Sequence, residues 1–148
     1  VMRRICHTAM SEFSFLGGQD IFLQDADART AYHITDDALV YDVSDSFNFN
    51  IRKSVGRHAF RAQGFRKRAH GNSWLAEIAL WCEWTHKGTL WARIPTSVTK
   101  LDCREFFSIC SNADRTLLKG VRIFAIYFVD HMERMEAAGT PIQDLPLR

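Results

Sequence analysis

With 148 residues, 47% of them apolar, and a formal net charge of +2, the chain is sized for one domain with a real core and is too apolar for a disordered or low-complexity class. Its longest purely apolar run, Ile123 to Val129, falls far short of the roughly 20 residues that a membrane helix needs, so the chain is not expected to span a bilayer itself. Cys6, Cys82, Cys103 and Cys110 form no C-x-x-C pair, and His7, His33, His58, His70, His86 and His131 form no H-x-H or H-E-x-x-H pattern; no metal site is expected, and the thiols read as reduced.

In chain order, residues 1–12 read as a helical lead-in, 13–101 as strands, 102–137 as helices and 138–148 as a tail or linker. Tyr32 and Ile34, then Leu39, Tyr41 and Val43, put apolar side chains at every second position around a Thr35-Asp36-Asp37 turn, which predicts a hairpin. Gly71-Asn72 and Lys87-Gly88 add turn signals, and Thr89 to Leu101 reads as extended segments interrupted near Pro95. Short strands so spaced argue for a mainly β fold with flanking helices, an antiparallel, jelly-roll-like β-roll rather than a parallel α/β sheet. Asp102 with Glu105 three residues later resembles a capping box, which predicts a helix from Cys103 to about Cys110 with Phe106 and Ile109 turned inward. Ser111 with Asp114 is a weaker second start. Leu117, Leu118, Val121, Phe124, Ala125, Phe128, Met132 and Met135 then follow three- and four-residue steps, the stripe of an amphipathic helix over 113–137 that Gly139 and Pro141 end. Tyr32, Ile34, Leu39, Leu80, Leu90 and Phe106 are expected to share one interior.

Two clusters have bland and functional readings. Arg52, Lys53, Arg57, Arg61, Arg66, Lys67 and Arg68 fall in a stretch from Ser46 to Ala76 without an acidic residue. An anionic partner is one account; a solvated strand face is the preferred one. Trp74, Trp81, Trp84 and Trp91 read as core filling, with the corollary that Trp81 and Trp84 narrow a pocket or that the pocket fills itself.

The stretch Ser73 to Ala92, SWLAEIALWCEWTHKGTLWA, resembles the phosphate-binding cassette of cyclic-nucleotide-binding domains, roughly F-G-E-x-A-L, a loop, R-x-A-T-V and a closing Ala. Leu75 takes the Phe position, Ala76 the Gly and Glu77 the Glu; Ala79-Leu80 fit as they stand, and Thr89, Leu90 and Ala92 fall on the Thr, Val and Ala. His86 stands where the family has arginine, with Lys87 beside it. A second block, Gly18 to Tyr41, matches the family's opening strands at Gly18, Ile21, Tyr32 and Ile34, with Asp25 and Asp37 at two turn glycines. Asp is among the few residues other than glycine that visit positive φ. With Leu101-Asp102 and Phe106, the resemblance covers about Phe13 to Cys110.

The resemblance implies a β-roll closed by a C-terminal helix that relays ligand binding, with Ala76, Glu77, Ile78, Ala79, His86, Lys87, Gly88 and Thr89 as the nucleotide site. In the family the cassette's backbone N–H groups meet the cyclic phosphate, and the Glu accepts from the ribose 2′-hydroxyl. An arginine's planar fork grips the phosphate two bonds at a time, which His86 cannot reproduce. Losing one or two charge-assisted bonds weakens binding by about ten- to a few-hundredfold, so cAMP or cGMP is expected to bind weakly. The expected role is regulatory and not enzymatic, with no catalytic residues, no cofactor and no nucleic acid, since no helix-turn-helix follows the roll. Beginning at Val1, the chain reads as a piece of a longer protein. The expected host is a voltage-gated-type ion channel, making this a cytoplasmic domain that meets the membrane only through the rest of its parent, with a homo-oligomer of the parent as a candidate assembly. The alternatives are a vestigial protein-interaction or assembly module, and the regulatory domain of a cyclic-nucleotide-dependent kinase.

Overall fold

The period-two pattern between Tyr32 and Val43 forms two strands that do not pair with each other. The computed structural model describes residues 1–44 and 65–146. Its strands are β1 (Met10–Phe15), β2 (Asp20–Phe22), β3 (Thr30–Ile34), β4 (Leu39–Val43), β5 (Phe65–Arg68), β6 (Ser73–Leu75), β7 (Thr89–Ala92) and β8 (Thr96–Asp102). They build two four-stranded sheets, β1-β8-β3-β6 and β2-β7-β4-β5, with every pairing antiparallel. The expected β-roll with flanking helices is thus observed, but the expected hairpin is an arch: β3 lies in one sheet and β4 in the other. Alternation cannot separate the two cases, because strands facing each other across a core bury every second residue just as paired strands do. Contacts from elsewhere in the chain hold the arch. The Asp36 carboxylate accepts from Ala38 N–H at 3.0 Å and from the Thr96 hydroxyl at 2.9 Å, and Asp37 accepts from Gly71 N–H at 2.5 Å. Of the two aspartates at expected turn-glycine positions, Asp25 takes φ +67°, whereas Asp37 is absent from the positive-φ residues and acts through its side chain.

Between the sheets sits the main core, with Phe15, Phe22, Tyr32, Ile34, Leu39, Tyr41, Leu75, Leu90 and Val98 all buried. Tyr32, Ile34, Leu39 and Leu90 share this interior as expected. Leu80 and Phe106 do not; they pack against a second cluster of Ile5, Ala9, Ala31, Leu101 and Ile109, where the flanking helices cover the outer face of the β1-β8-β3 sheet. The lead-in is helical through α1 (Met2–Arg4) and a wider turn at Ile5–Ala9, and β1 begins at Met10, earlier than position 13. Helix α2 (Cys103–Ser111) starts where the capping box puts it, with Asp102 accepting from Glu105 N–H at 2.8 Å. Helix α3 (Arg115–Ala137) is capped by Asp114, which accepts from Thr116 and Leu117 N–H, each at 3.0 Å, so Asp114 rather than Ser111 is the start. Most of the expected stripe is the less exposed face of α3, with Met132 buried; Phe124 is exposed yet its ring lies 4.8 Å from Trp81. Ile123, Ile126 and Tyr127 face outward. Among the described residues no helix is long and apolar enough to cross a membrane.

Arg52, Lys53, Arg57 and Arg61 lie outside the described residues. Arg66, Lys67 and Arg68 are exposed on β5, where Arg66 pairs with Asp42 at 2.8 Å, as on a solvated face.

One glycine sets how closely the 84–88 loop approaches β4. A Cβ at Gly88 would come within 2.5 Å of Tyr41 Cζ and 2.8 Å of the Asp42 carbonyl oxygen, whereas one at Gly120 on α3 meets nothing within 4 Å. Gly88→Ala is expected to destabilise the fold by about 1–3 kcal/mol through overpacking. Gly120→Ala is expected to stabilise it by about 0.5–1 kcal/mol, the helix-interior difference between the two residues. Urea denaturation of both variants checks the opposite signs.

Candidate functional site

The cassette is laid out as β6, a single 3-10 turn at Glu77–Leu80, a loop, and β7. At its start Ala76 is fully buried with φ +53°, a left-handed conformation that costs a non-glycine residue roughly 1–2 kcal/mol. This is the position where the cassette pattern has glycine. The bend aims the Ala76 N–H out of the strand, and it donates to the Asp144 carbonyl oxygen at 2.6 Å.

Further along, the loop is zipped onto the β2–β3 connection. Asp25 N–H donates to the His86 carbonyl at 2.9 Å, His86 N–H to the Ala26 carbonyl at 3.0 Å, and Ala28 N–H to the Trp84 carbonyl at 2.9 Å. The His86 ring stacks on Phe22 at 3.7 Å between centroids, with 6° between planes, and is almost wholly buried. Backbone and ring of His86 are therefore both fixed.

These elements converge on a group from the far end of the chain, the carboxylate of Asp144, whose side chain has no solvent exposure. Its Oδ1 accepts from Trp84 Nε1 at 2.9 Å and from His86 Nδ1 at 2.7 Å. Its Oδ2 accepts from the Tyr41 hydroxyl at 2.7 Å and from Lys87 N–H at 2.8 Å. A carboxylate only accepts, so the His86 proton facing it sits on Nδ1. Burial alone would raise the Asp144 pKa; the bonds from His86, Tyr41 and Trp84 and the charge of His86 outweigh it and hold the carboxyl below its ordinary value. Burial first, and then the neighbouring carboxylate, push Tyr41 far upward, so its hydroxyl remains a donor.

Of the expected site residues, His86 and Lys87 meet at this anion, His86 through its ring and Lys87 through its backbone N–H, while Ala76 N–H holds the Asp144 main-chain carbonyl. Lys87 Nζ instead lies 4.6 Å above the Trp84 ring. Gly88 packs on Tyr41, and the Thr89 hydroxyl accepts from Gln24 N–H at 3.1 Å. Ile78 is buried and Ala79 half-buried in the 3-10 turn. Glu77 stands on the wall of a neighbouring crevice with Trp74, Ile78, Phe128, Met132 and the 142–146 segment. Burial raises its pKa, and the Trp81 indole beside it opposes the rise without a bond of hydrogen-bonding geometry. The crevice offers a cavity of only about 10 Å³, far below the roughly 300–1,000 Å³ of small-molecule pockets.

Sequence reasoning missed Asp144, Tyr41 and Phe22, and took Trp84 for core filling when its indole N–H is an anion donor. The segment read as tail or linker is part of the folded unit: Asp144 is 2% exposed and Leu145 packs on the main core. The missed signal is a lone acid set between Ile142 and Leu145, apolar residues beyond the end of the helix.

The Asp144 shift fixes a pH dependence. The folded pKa lies below the unfolded value of about 3.9, so the carboxylate's contribution is complete well above that value and is lost as pH falls through the folded one. The segment can also detach and let its donors hydrate, which bounds the loss. Asp144→Ala is expected to cost ~1–3 kcal/mol at neutral pH, with the gap from the unmodified protein closing below about pH 4. Thermal melts of both proteins from acid to neutral pH check this.

No family model and no curated protein matches the sequence. Among solved structures, the chain is similar to a cyclic nucleotide-binding-like protein from Brucella abortus, with TM-score 0.56 and 18% identity over 75% of this chain and 83% of that one. It is similar to the EAL enzyme Bd1971 in a half-site-occupied form, with TM-score 0.59 and 12% identity over 83% of this chain and 98% of that one. Bd1971 has also been solved in cAMP-bound and cGMP-bound forms. A cAMP-binding acyltransferase from Mycobacterium smegmatis matches with TM-score 0.52 and 16% identity over 70% of this chain, which spans 28% of the acyltransferase. Likeness at these identities concerns architecture and not ligands, and on that footing the chain has the fold of cyclic-nucleotide-binding domains.

Proposed function

We propose that this chain is a regulatory cyclic-nucleotide-binding-like module, a binding and not a catalytic unit, with weakened affinity for cAMP or cGMP. In this reading the cassette remains an anion site and occupancy is relayed through α3, the arrangement suited to gating an ion channel. The observation that carries it is the convergence of Trp84 Nε1, His86 Nδ1, Lys87 N–H and the Tyr41 hydroxyl on one buried anionic group in the cassette. Support for the relay comes from the contacts of α3, whose Phe124 and Phe128 rings lie 4.8 and 6.0 Å from Trp81, directly after the 3-10 turn. Most of α3 is otherwise exposed, so few contacts resist its movement.

Weak affinity follows from two features: no guanidinium fork, and an anion position that already holds a carboxylate. Calorimetry with cAMP and cGMP, and with AMP as control, is expected to give dissociation constants of roughly 0.1 mM or weaker, about −5.5 kcal/mol or less in magnitude. Sub-micromolar binding of either cyclic nucleotide would overturn the weakened-affinity reading, and equal binding of AMP would overturn the selectivity for a cyclic phosphate.

A further inference from the structure

We propose that residues 142–146 are a tethered ligand of the cassette, with the Asp144 carboxylate seated in the anion position that the 84–87 loop builds. The site then accepts an aspartate-bearing extended peptide, and any external anion has to displace the chain's own segment. This rests on reading the cassette as an anion site, and deepens it by naming the resident occupant.

The contacts are those of a ligand in a receptor. A carboxylate has about four lone-pair positions, and donors fill four of them. The segment is also held as a peptide: Ala76 N–H donates to the Asp144 carbonyl at 2.6 Å, and the half-buried Leu145 packs against the main core beside it. The receptor half does not depend on the segment for its shape. Trp84, His86 and Lys87 belong to one short loop, pinned by the ladder to residues 25–28 and by the stack on Phe22. With the segment out, three of the four donors therefore remain aimed at one point. The titratable groups facing that point are His86 from the loop, Tyr41 from β4 and Glu77 from the crevice wall. A carboxylate and a cyclic phosphodiester each carry a single negative charge and only accept, so the same convergent N–H and O–H donors suit either.

The strap also has an output. Only residues 138–141 separate it from the end of α3, and Phe128 and Met132 of α3 line the crevice that the 142–146 segment closes. Seating the segment clamps the second half of α3 against the cassette; releasing it frees both.

The test uses the full chain and its Asp144→Asn variant, which keeps the shape and removes the charge, with circular dichroism to confirm the roll in both. Amide hydrogen exchange is read at Ala76 and Lys87, and a peptide GTPIQDLP, matching residues 139–146, is titrated with its Asp→Asn counterpart. In the variant, Lys87 amide exchange is expected to rise at least tenfold. The aspartate peptide is expected to bind the variant at least tenfold more tightly than it binds the unmodified chain or than the asparagine peptide binds the variant. Unchanged Lys87 exchange together with no preference for the aspartate peptide would overturn the proposal, leaving the segment as ordinary packing. Where the variant does not fold, exchange in the unmodified protein decides: Ala76 and Lys87 opening together, more readily than β4 and β7, supports a detachable strap, and opening only with global unfolding sinks it. Titrating cAMP and cGMP into both proteins separates the two readings. Peptide binding without nucleotide binding to the variant keeps the strap and removes the nucleotide reading. Equal nucleotide binding to both proteins, with Lys87 exchange unchanged, removes the strap and keeps the nucleotide reading.

Discussion

A carboxylate cut off from water has to find a donor for nearly every lone pair, and that requirement organises the cassette side of this molecule. Asp144 meets it through a β4 hydroxyl, an indole, an imidazole and a main-chain amide, which no single element could supply. Tyr41 can reach the carboxylate only if β4 and the loop come together, and the absent side chain at Gly88 allows that approach. His86 has to present Nδ1 at a fixed angle, which the Phe22 stack and the ladder to residues 25–28 enforce. Even the uncomfortable φ of Ala76 belongs to this set, since it turns the N–H that anchors the Asp144 main chain.

The architecture was largely legible in the sequence because periodicity and turn chemistry are local. Alternation from Tyr32 to Val43 marks two half-buried strands, and Asp102 marks the first helix start, while the second, read at Ser111 with Asp114, is capped by Asp114 itself. Sheet membership is not local. Whether β3 and β4 pair or face each other depends on which distant strands flank them, and the Asp36–Thr96 and Asp37–Gly71 bonds that settle it join residues far apart in the chain. Phe106 and Leu80 illustrate the same limit, since an inward-facing residue on a helix announces burial without saying which core receives it.

The site divides along a similar line. Spacing in the cassette locates its backbone, so Ala76, His86 and Lys87 could be named. Which atoms of those residues act could not be, and Lys87 contributes an amide while its ammonium rides on Trp84. Asp144 carries no pattern of its own. Its role exists only once the chain after α3 turns back onto the roll, and the turn signals at Gly139 and Pro141 say that a helix ends without saying where the chain goes next.

The short connection between α3 and Asp144 gives the site an arithmetic of its own. A group tethered by a few residues competes at an effective concentration of order millimolar, whatever its intrinsic affinity. A weakly held strap thus suffices to keep the anion position filled, and the apparent affinity of a free molecule is reduced by the fraction of the time the site stands open. The structure therefore sets a threshold as well as a shape. Lengthening the 138–141 connection would lower that threshold gradually, while leaving every contact of Asp144 as it is.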